Sequence, residues 1–129
     1  MHPDVNALFD ARNFATIATV NPDGSPQSSV LWVLRDGDDL LFSVLDHRAK
    51  ARNIVRDPRV SVTVHDEANP YTSAEVRGTA TLEPDPGKEL PARLSHKYLD
   101  VDPPNESDDE RRLVIRVRPT TVHYAALLG

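Results

Sequence analysis

The chain has 129 residues, 39% hydrophobic and 27% charged, with no cysteine and a formal net charge of -5. That length suits one domain, and the composition excludes wholesale disorder. The missing thiols exclude disulfides, cysteine nucleophiles, iron–sulfur clusters and cysteine zinc sites. No apolar run approaches the roughly 18–20 residues of a membrane helix, and the polar start Met1-His2-Pro3-Asp4 reads as a cytoplasmic chain rather than a secretory leader. Asp100 to Glu110 holds six carboxylates and neither Lys nor Arg, while the other 14 carboxylates face 15 basic side chains. The acidity belongs to one segment, read as a solvated connection, and the rest of the chain is close to neutral.

In chain order, Val5, Leu8 and Phe9 share one face of a helix expected over residues 3–12. Phe14 to Val20 and Gln27 to Leu34 read as strands. Between them Asn21-Pro22-Asp23-Gly24-Ser25 supplies a proline that presets a turn and a glycine that tolerates positive φ. Asp36-Gly37-Asp38 then reverses the chain into Leu40 to Leu45, which predicts a three-stranded meander. The stretch Val30 to Leu34 is apolar on both faces, so something must cover its outer side: a helix of the same chain, or a second copy in a homodimer.

Arg48 to Arg56 predicts a short helix capped by Asp46 and stopped by Asp57-Pro58. Val60, Val62 and Val64 alternate along the next strand. Residues 72–83 follow, with Ala74, Val76, Ala80 and Leu82 on one face and Gly78 on the same row, where a bulge or sharp coil is expected. Leu90, Leu94 and Tyr98 mark a helix near 88–99 with Pro91 in its first turn. Leu113, Ile115 and Val117 point inward from a last strand that Pro119 ends. Six strands with turns between most of them and little helix indicate a mainly β fold, an antiparallel barrel in a single domain over 1–129.

One segment works against its own electrostatics. Asp46-His47-Arg48-Ala49-Lys50-Ala51-Arg52-Asn53 places three fixed cations at the start of a short helix. Helix N-termini carry partial positive charge, so each cation there is disfavoured by about 0.3–1 kcal/mol. The arrangement makes sense if an external anion, such as a phosphate, sits between those groups. The alternative is a solvated basic face paired with Asp66 or Glu67.

The remaining motifs are negative. No Rossmann, P-loop, zincin or nucleophile-elbow pattern occurs. His2, His47, His65, His96 and His123 stand too far apart for metal-ligand spacing, so no metal site is expected. With 5% aromatic residues and no basic stripe interleaved with rings, a nucleic-acid partner is not expected either.

The ordered blocks Ala15-Thr16-Ile17-Ala18-Thr19-Val20, Asp23-Gly24-Ser25-Pro26-Gln27, Arg48-Ala49-Lys50-Ala51-Arg52-Asn53 with Asp57-Pro58-Arg59-Val60, and Val76-Arg77-Gly78-Thr79-Ala80 together resemble the pyridoxamine 5'-phosphate oxidase-like family. Within it the chain is most similar to short enzymes that use coenzyme F420, a deazaflavin. The resemblance implies a six-stranded Greek-key split β-barrel of the FMN-binding type. It also implies a homodimer with the cofactor in a groove at the interface.

By position, the resemblance gives Arg48 and Lys50, with Arg52 and Asn53 as neighbours, contact with the phosphate-bearing tail. It places the ring system against Gln27, Ser28, Ser29, Val30 and Trp32, with Ser43 a further candidate. FMN-using relatives commonly carry two basic residues where this chain has Ser29 and Leu34, which favours F420 over FMN. The implied activity is hydride transfer from the deazaflavin to an electron-poor small organic substrate, with no side-chain nucleophile. The alternatives are an FMN flavoprotein and a barrel that binds cofactor without turnover.

Overall fold

The computed structural model describes residues 1–127. In chain order its elements are α1 (Pro3–Asp10), β1 (Ala15–Val20), β2 (Pro26–Leu31), β3 (Leu34–Asp36), β4 (Asp39–Leu45), α2 (Ala49–Arg56), β5 (Arg59–His65), β6 (Thr72–Pro84), α3 (Glu89–Leu99) and β7 (Arg112–Ala126). The strands form one antiparallel sheet in the order β2-β1-β5-β6-β7-β4-β3. Among the described residues no helix is long and apolar enough to cross a membrane.

The strand expected over 27–34 is two strands, so the sheet has seven rather than six, and no three-stranded meander forms. Both hairpins are present, β1 with β2 and β3 with β4, but they lie at opposite ends of the strand order. The chain passes between those ends at Trp32-Val33. There the Val33 N–H donates to the Tyr98 hydroxyl at 3.1 Å and the Val33 carbonyl accepts from Lys97 Nζ at 2.7 Å. Side chains of α3 thus satisfy backbone groups that a strand neighbour would otherwise pair.

That crossing forces curvature. Leu31 and Leu34 are separated by three backbone steps, at most about 11 Å, whereas the outer strands of a flat seven-stranded sheet would stand about 28 Å apart. The sheet therefore rolls until its edges meet, and the result is a barrel split at the crossing.

Inward-facing residues fill it. Ile17, Val62, Val64, Val76, Ile115, Val117, Leu40 and Phe42 are fully buried, as is Phe9 of α1. Helix α1 packs on β3, β5 and β6, and α2 packs on β1 and β6. Helix α1 stops at Asp10, short of the expected Arg12, and the chain is extended from Ala11.

Gly78 lies at the register shift between Arg77 and Gly78, where β6 meets β7. A Cβ there would stand 2.2 Å from the Arg118 carbonyl oxygen, so only glycine allows the two backbones to approach. Pro119 does not end the last strand: it faces Gly78 at that irregularity, where its missing N–H is tolerated, and pairing resumes to Ala126.

Part of the doubly apolar segment is covered by the same chain. Leu90, Leu94 and Tyr98 of α3 pack with Leu41, Trp32, Leu34 and Val114 in a second apolar cluster. Trp32 stacks on Tyr98 with ring centroids 5.1 Å apart and planes 7° from parallel. Val30, by contrast, is 66% exposed.

Candidate functional site

Helix α2 begins at the basic segment without a conventional cap. Arg48, not Asp46, is its N-cap residue, no side chain caps it, and its first turn holds no acidic residue. Ala51 and Ile54 bury its inner face. Among the described residues Arg48, Lys50 and Arg52 form no ion pair, with Asp66, Glu67 or any other carboxylate. Arg52 turns back to donate to the His47 carbonyl, and Arg48 is exposed.

Lys50 is the half-buried member of this group. Its Nζ reaches Ser29 Oγ on β2 at 3.5 Å. Burial first, then the charges of Arg48 and Arg112, hold its ammonium below lysine's ordinary range. A cation partly stripped of water, repelled by two others and facing no carboxylate is a group in want of an anion.

A chain of hydrogen bonds fixes that position. The buried Asn53 amide donates from Nδ2 to Thr19 Oγ1 and to Asn21 Oδ1, both at 3.0 Å. Thr19 Oγ1 donates to Gln27 Oε1 at 2.9 Å, and Gln27 Nε2 donates to Ser29 Oγ at 2.9 Å. Four residues singled out in the sequence, Asn53, Gln27, Ser29 and Lys50, thus belong to one network. Within it the Asn53 and Gln27 amides are engaged with neighbours and orient the groups in front of them.

Alternation along β2 turns Gln27 and Ser29 one way and the exposed Ser28 and Val30 the other. Next to the network opens a cavity of about 840 Å³, within the roughly 300–1,000 Å³ range of small-molecule and cofactor sites. Val30, Trp32 and Ser43 line it, together with Phe14, Leu31, Leu94 and the prolines 86, 91, 103 and 104. Ser28 and the α2 cations do not. Ser43 Oγ is buried with no hydrogen-bond partner among the described residues, an unmet polar group on the cavity wall.

Four charged residues of the cavity were not foreseen. Arg112, Lys88, Glu106 and Asp108 all line it. Glu106 accepts from Arg112 at 2.8 and 3.2 Å, and its carboxylate lies 3.2 Å from Lys88 Nζ. The acidic segment is therefore not merely a solvated connection: it folds over the cavity and places Pro103, Pro104 and Glu106 on its wall. Lys88 has a left-handed backbone, φ 51, just before α3. Nothing local in the sequence singles out Arg112 or Lys88, because their partner is a loop residue that only folding brings near.

The donor set fits a phosphorylated ring cofactor. The α2 cations and Lys50 supply charge for the phosphate-bearing part, and the apolar and aromatic wall with the unmatched Ser43 hydroxyl suits a planar ring. Residues 1–126 match the family model for pyridoxamine 5'-phosphate oxidase. The chain is similar to a solved F420 reductase, with 37% identity over 92% of this chain and 94% of that one and a TM-score of 0.83. It shares the fold of the conserved hypothetical protein Rv2991 from Mycobacterium tuberculosis at 18% identity, over 98% of this chain and 84% of that one, with a TM-score of 0.81. General Stress Protein 26 from Bacillus anthracis has the same fold at 20% identity, over 97% and 95% of the two chains, with a TM-score of 0.73. A split barrel with a cation-flanked ring-sized cavity, matched over almost its whole length by the family model, belongs to the pyridoxamine 5'-phosphate oxidase family.

Proposed function

We propose that this protein is a deazaflavin-dependent oxidoreductase that binds coenzyme F420 and reduces an electron-poor small organic substrate. The observation that carries this reading is the unpaired cation group Arg48, Lys50 and Arg52 beside an apolar cavity of ring size. The 37% identity to an F420 reductase supports the same choice of cofactor.

When bound, the deazaflavin supplies the hydride. The protein's part is binding, orientation and exclusion of water. Lys50, oriented by Ser29, and Arg48 hold the anionic tail. Charge-assisted hydrogen bonds there are worth about 1.5–3 kcal/mol each. Trp32, fixed by its stack on Tyr98, and the prolines present a rigid dry wall to the ring and the second reactant, so that little ordering remains when they meet. The Ser43 hydroxyl gains a polar partner on the ring. Two copies of the chain complete the groove in the homodimer implied by the resemblance, with the exposed Val30 and the ends of β6 and β7 available for that contact.

The experiment is a side-by-side fluorescence titration of the purified protein with coenzyme F420 and with FMN, followed by turnover with a panel of quinones and nitroaromatics. Saturable F420 binding with hydride transfer supports the proposal. Tight FMN binding with F420 indifferent replaces it with the flavoprotein reading, and F420 binding without turnover leaves a carrier.

A further inference from the structure

The cations near the cavity differ in what they face. Arg48, Lys50 and Arg52, outside its lining, meet no carboxylate among the described residues. On the wall itself, Lys88 and Arg112 both pair with Glu106, and Asp108 adds a second carboxylate to the lining. The Glu106 carboxylate is only 24% exposed, and hydrogen bonding from Arg112, more than from Lys88, holds it below the ordinary carboxyl range, so it is charged at neutral pH. Lys88 Nζ also donates to the Ser107 carbonyl at 3.0 Å, which gives the loop a second hold next to the carboxylate. The left-handed backbone at Lys88 is a conformation that costs a non-glycine residue energy, and here it accompanies a side chain aimed at the loop.

We propose that Glu106 is a specificity-determining residue: by closing the 100–110 loop on Lys88 and Arg112 it offsets one of the two cations on that wall, Asp108 balancing the other, and leaves the proline-lined part of the cavity for an uncharged, apolar reactant. An anion entering there would meet Glu106 and Asp108 balanced against Lys88 and Arg112, so it would gain no net attraction to offset the loss of its hydration. A neutral flat molecule meets Trp32, Leu94, Pro91, Pro103 and Pro104 instead. This deepens the redox reading by naming the class of the second reactant, and it rests on that reading only for the word reactant.

The test needs no cofactor, so its failure is separable from failure of the proposed function. Trp32 is the only tryptophan in the chain and sits on the cavity wall. Its emission is quenched on collision by acrylamide, which is neutral, and by iodide, an anion. In the wild type the iodide quenching constant is expected to be low relative to acrylamide. In Glu106→Gln, which keeps the shape and removes the charge, the iodide-to-acrylamide ratio rises about two- to threefold at low salt, the Boltzmann factor for one unit charge at about 7 Å in water. Glu106→Asp, which keeps the charge, returns the ratio towards wild type, and Lys88→Met, which removes a cation, lowers it. A ratio unchanged in Glu106→Gln, or one equally high in Glu106→Asp, overturns the proposal, because the first denies charge selection and the second attributes the change to loop opening alone.

Discussion

Replacing Lys50 by methionine separates a residue that holds the fold from one that waits for a ligand. Methionine keeps the aliphatic stem and removes an ammonium that the fold tolerates at a cost. Burial, Arg48 and Arg112 all lower the proton affinity of that ammonium, so in the native protein the charge is disfavoured relative to the unfolded chain. Lys50 Nζ makes a single long contact, 3.5 Å to Ser29 Oγ, so little is lost when it goes. The free protein is therefore expected to be as stable as wild type or slightly more so. Binding of the phosphate-bearing cofactor moves the other way: losing one charge-assisted hydrogen bond costs about 1.5–3 kcal/mol, or roughly 10- to 150-fold in Kd. Thermal melts without ligand and fluorescence titration with F420 measure the two effects on the same preparations. A variant that melts several degrees lower, or one that binds F420 as tightly as wild type, refutes the assignment of Lys50 as the anion-holding group.

Two further outcomes follow from contacts away from the cation group. Tyr98→Phe removes the hydroxyl that donates to the Asn13 carbonyl at 2.6 Å and accepts from the Val33 N–H at 3.1 Å. Each buried group left unpaired costs about 1–3 kcal/mol, so urea unfolding should show a loss of that order, and Trp32 emission should shift as its stacking partner relaxes. Asp57 accepts from the Arg59 guanidinium and, less strongly, from the Arg59 N–H, which pull its carboxyl down from 3.8 to about 2. Its contribution to stability is thus complete above the unfolded value and is lost as pH falls through about 2. Acid unfolding of Asp57→Asn should lack that part of the wild-type slope, and superimposable curves would count against the contact.

Local pattern accounts for much of the architecture. Alternation marked β5, β6 and the first half of β7 because a half-buried strand needs a period of two wherever it lies. The four-residue spacing of Leu90, Leu94 and Tyr98 marked α3 for the corresponding reason. Gly78 stood out as a small residue on an inward row, and the backbone approach of Arg118 explains why. The basic start of α2 was visible as a conflict between side-chain charge and helix dipole, a property of neighbouring residues alone. The family resemblance likewise lay in short ordered blocks, and the family model spans them.

What stayed hidden depends on partners far along the chain. Nothing between Gln27 and Leu34 announces a break, because Trp32-Val33 leaves the sheet only when Tyr98 and Lys97, 65 and 64 residues away, take over the Val33 backbone. Asp46 looked like a cap by position, yet a cap requires a backbone geometry that here falls on Arg48. The acidic segment read as solvent-facing because its composition is polar, and only the closed barrel brings Glu106 between Lys88 and Arg112. Sequence alone determined where most of the strands run, which helix is unusually basic and which family the blocks resemble, since these depend on residues within one turn or one strand of each other. Tertiary structure decided where the sheet splits, which cations stay unpaired and what closes the cavity, because each is set by groups that meet only after the barrel has rolled shut.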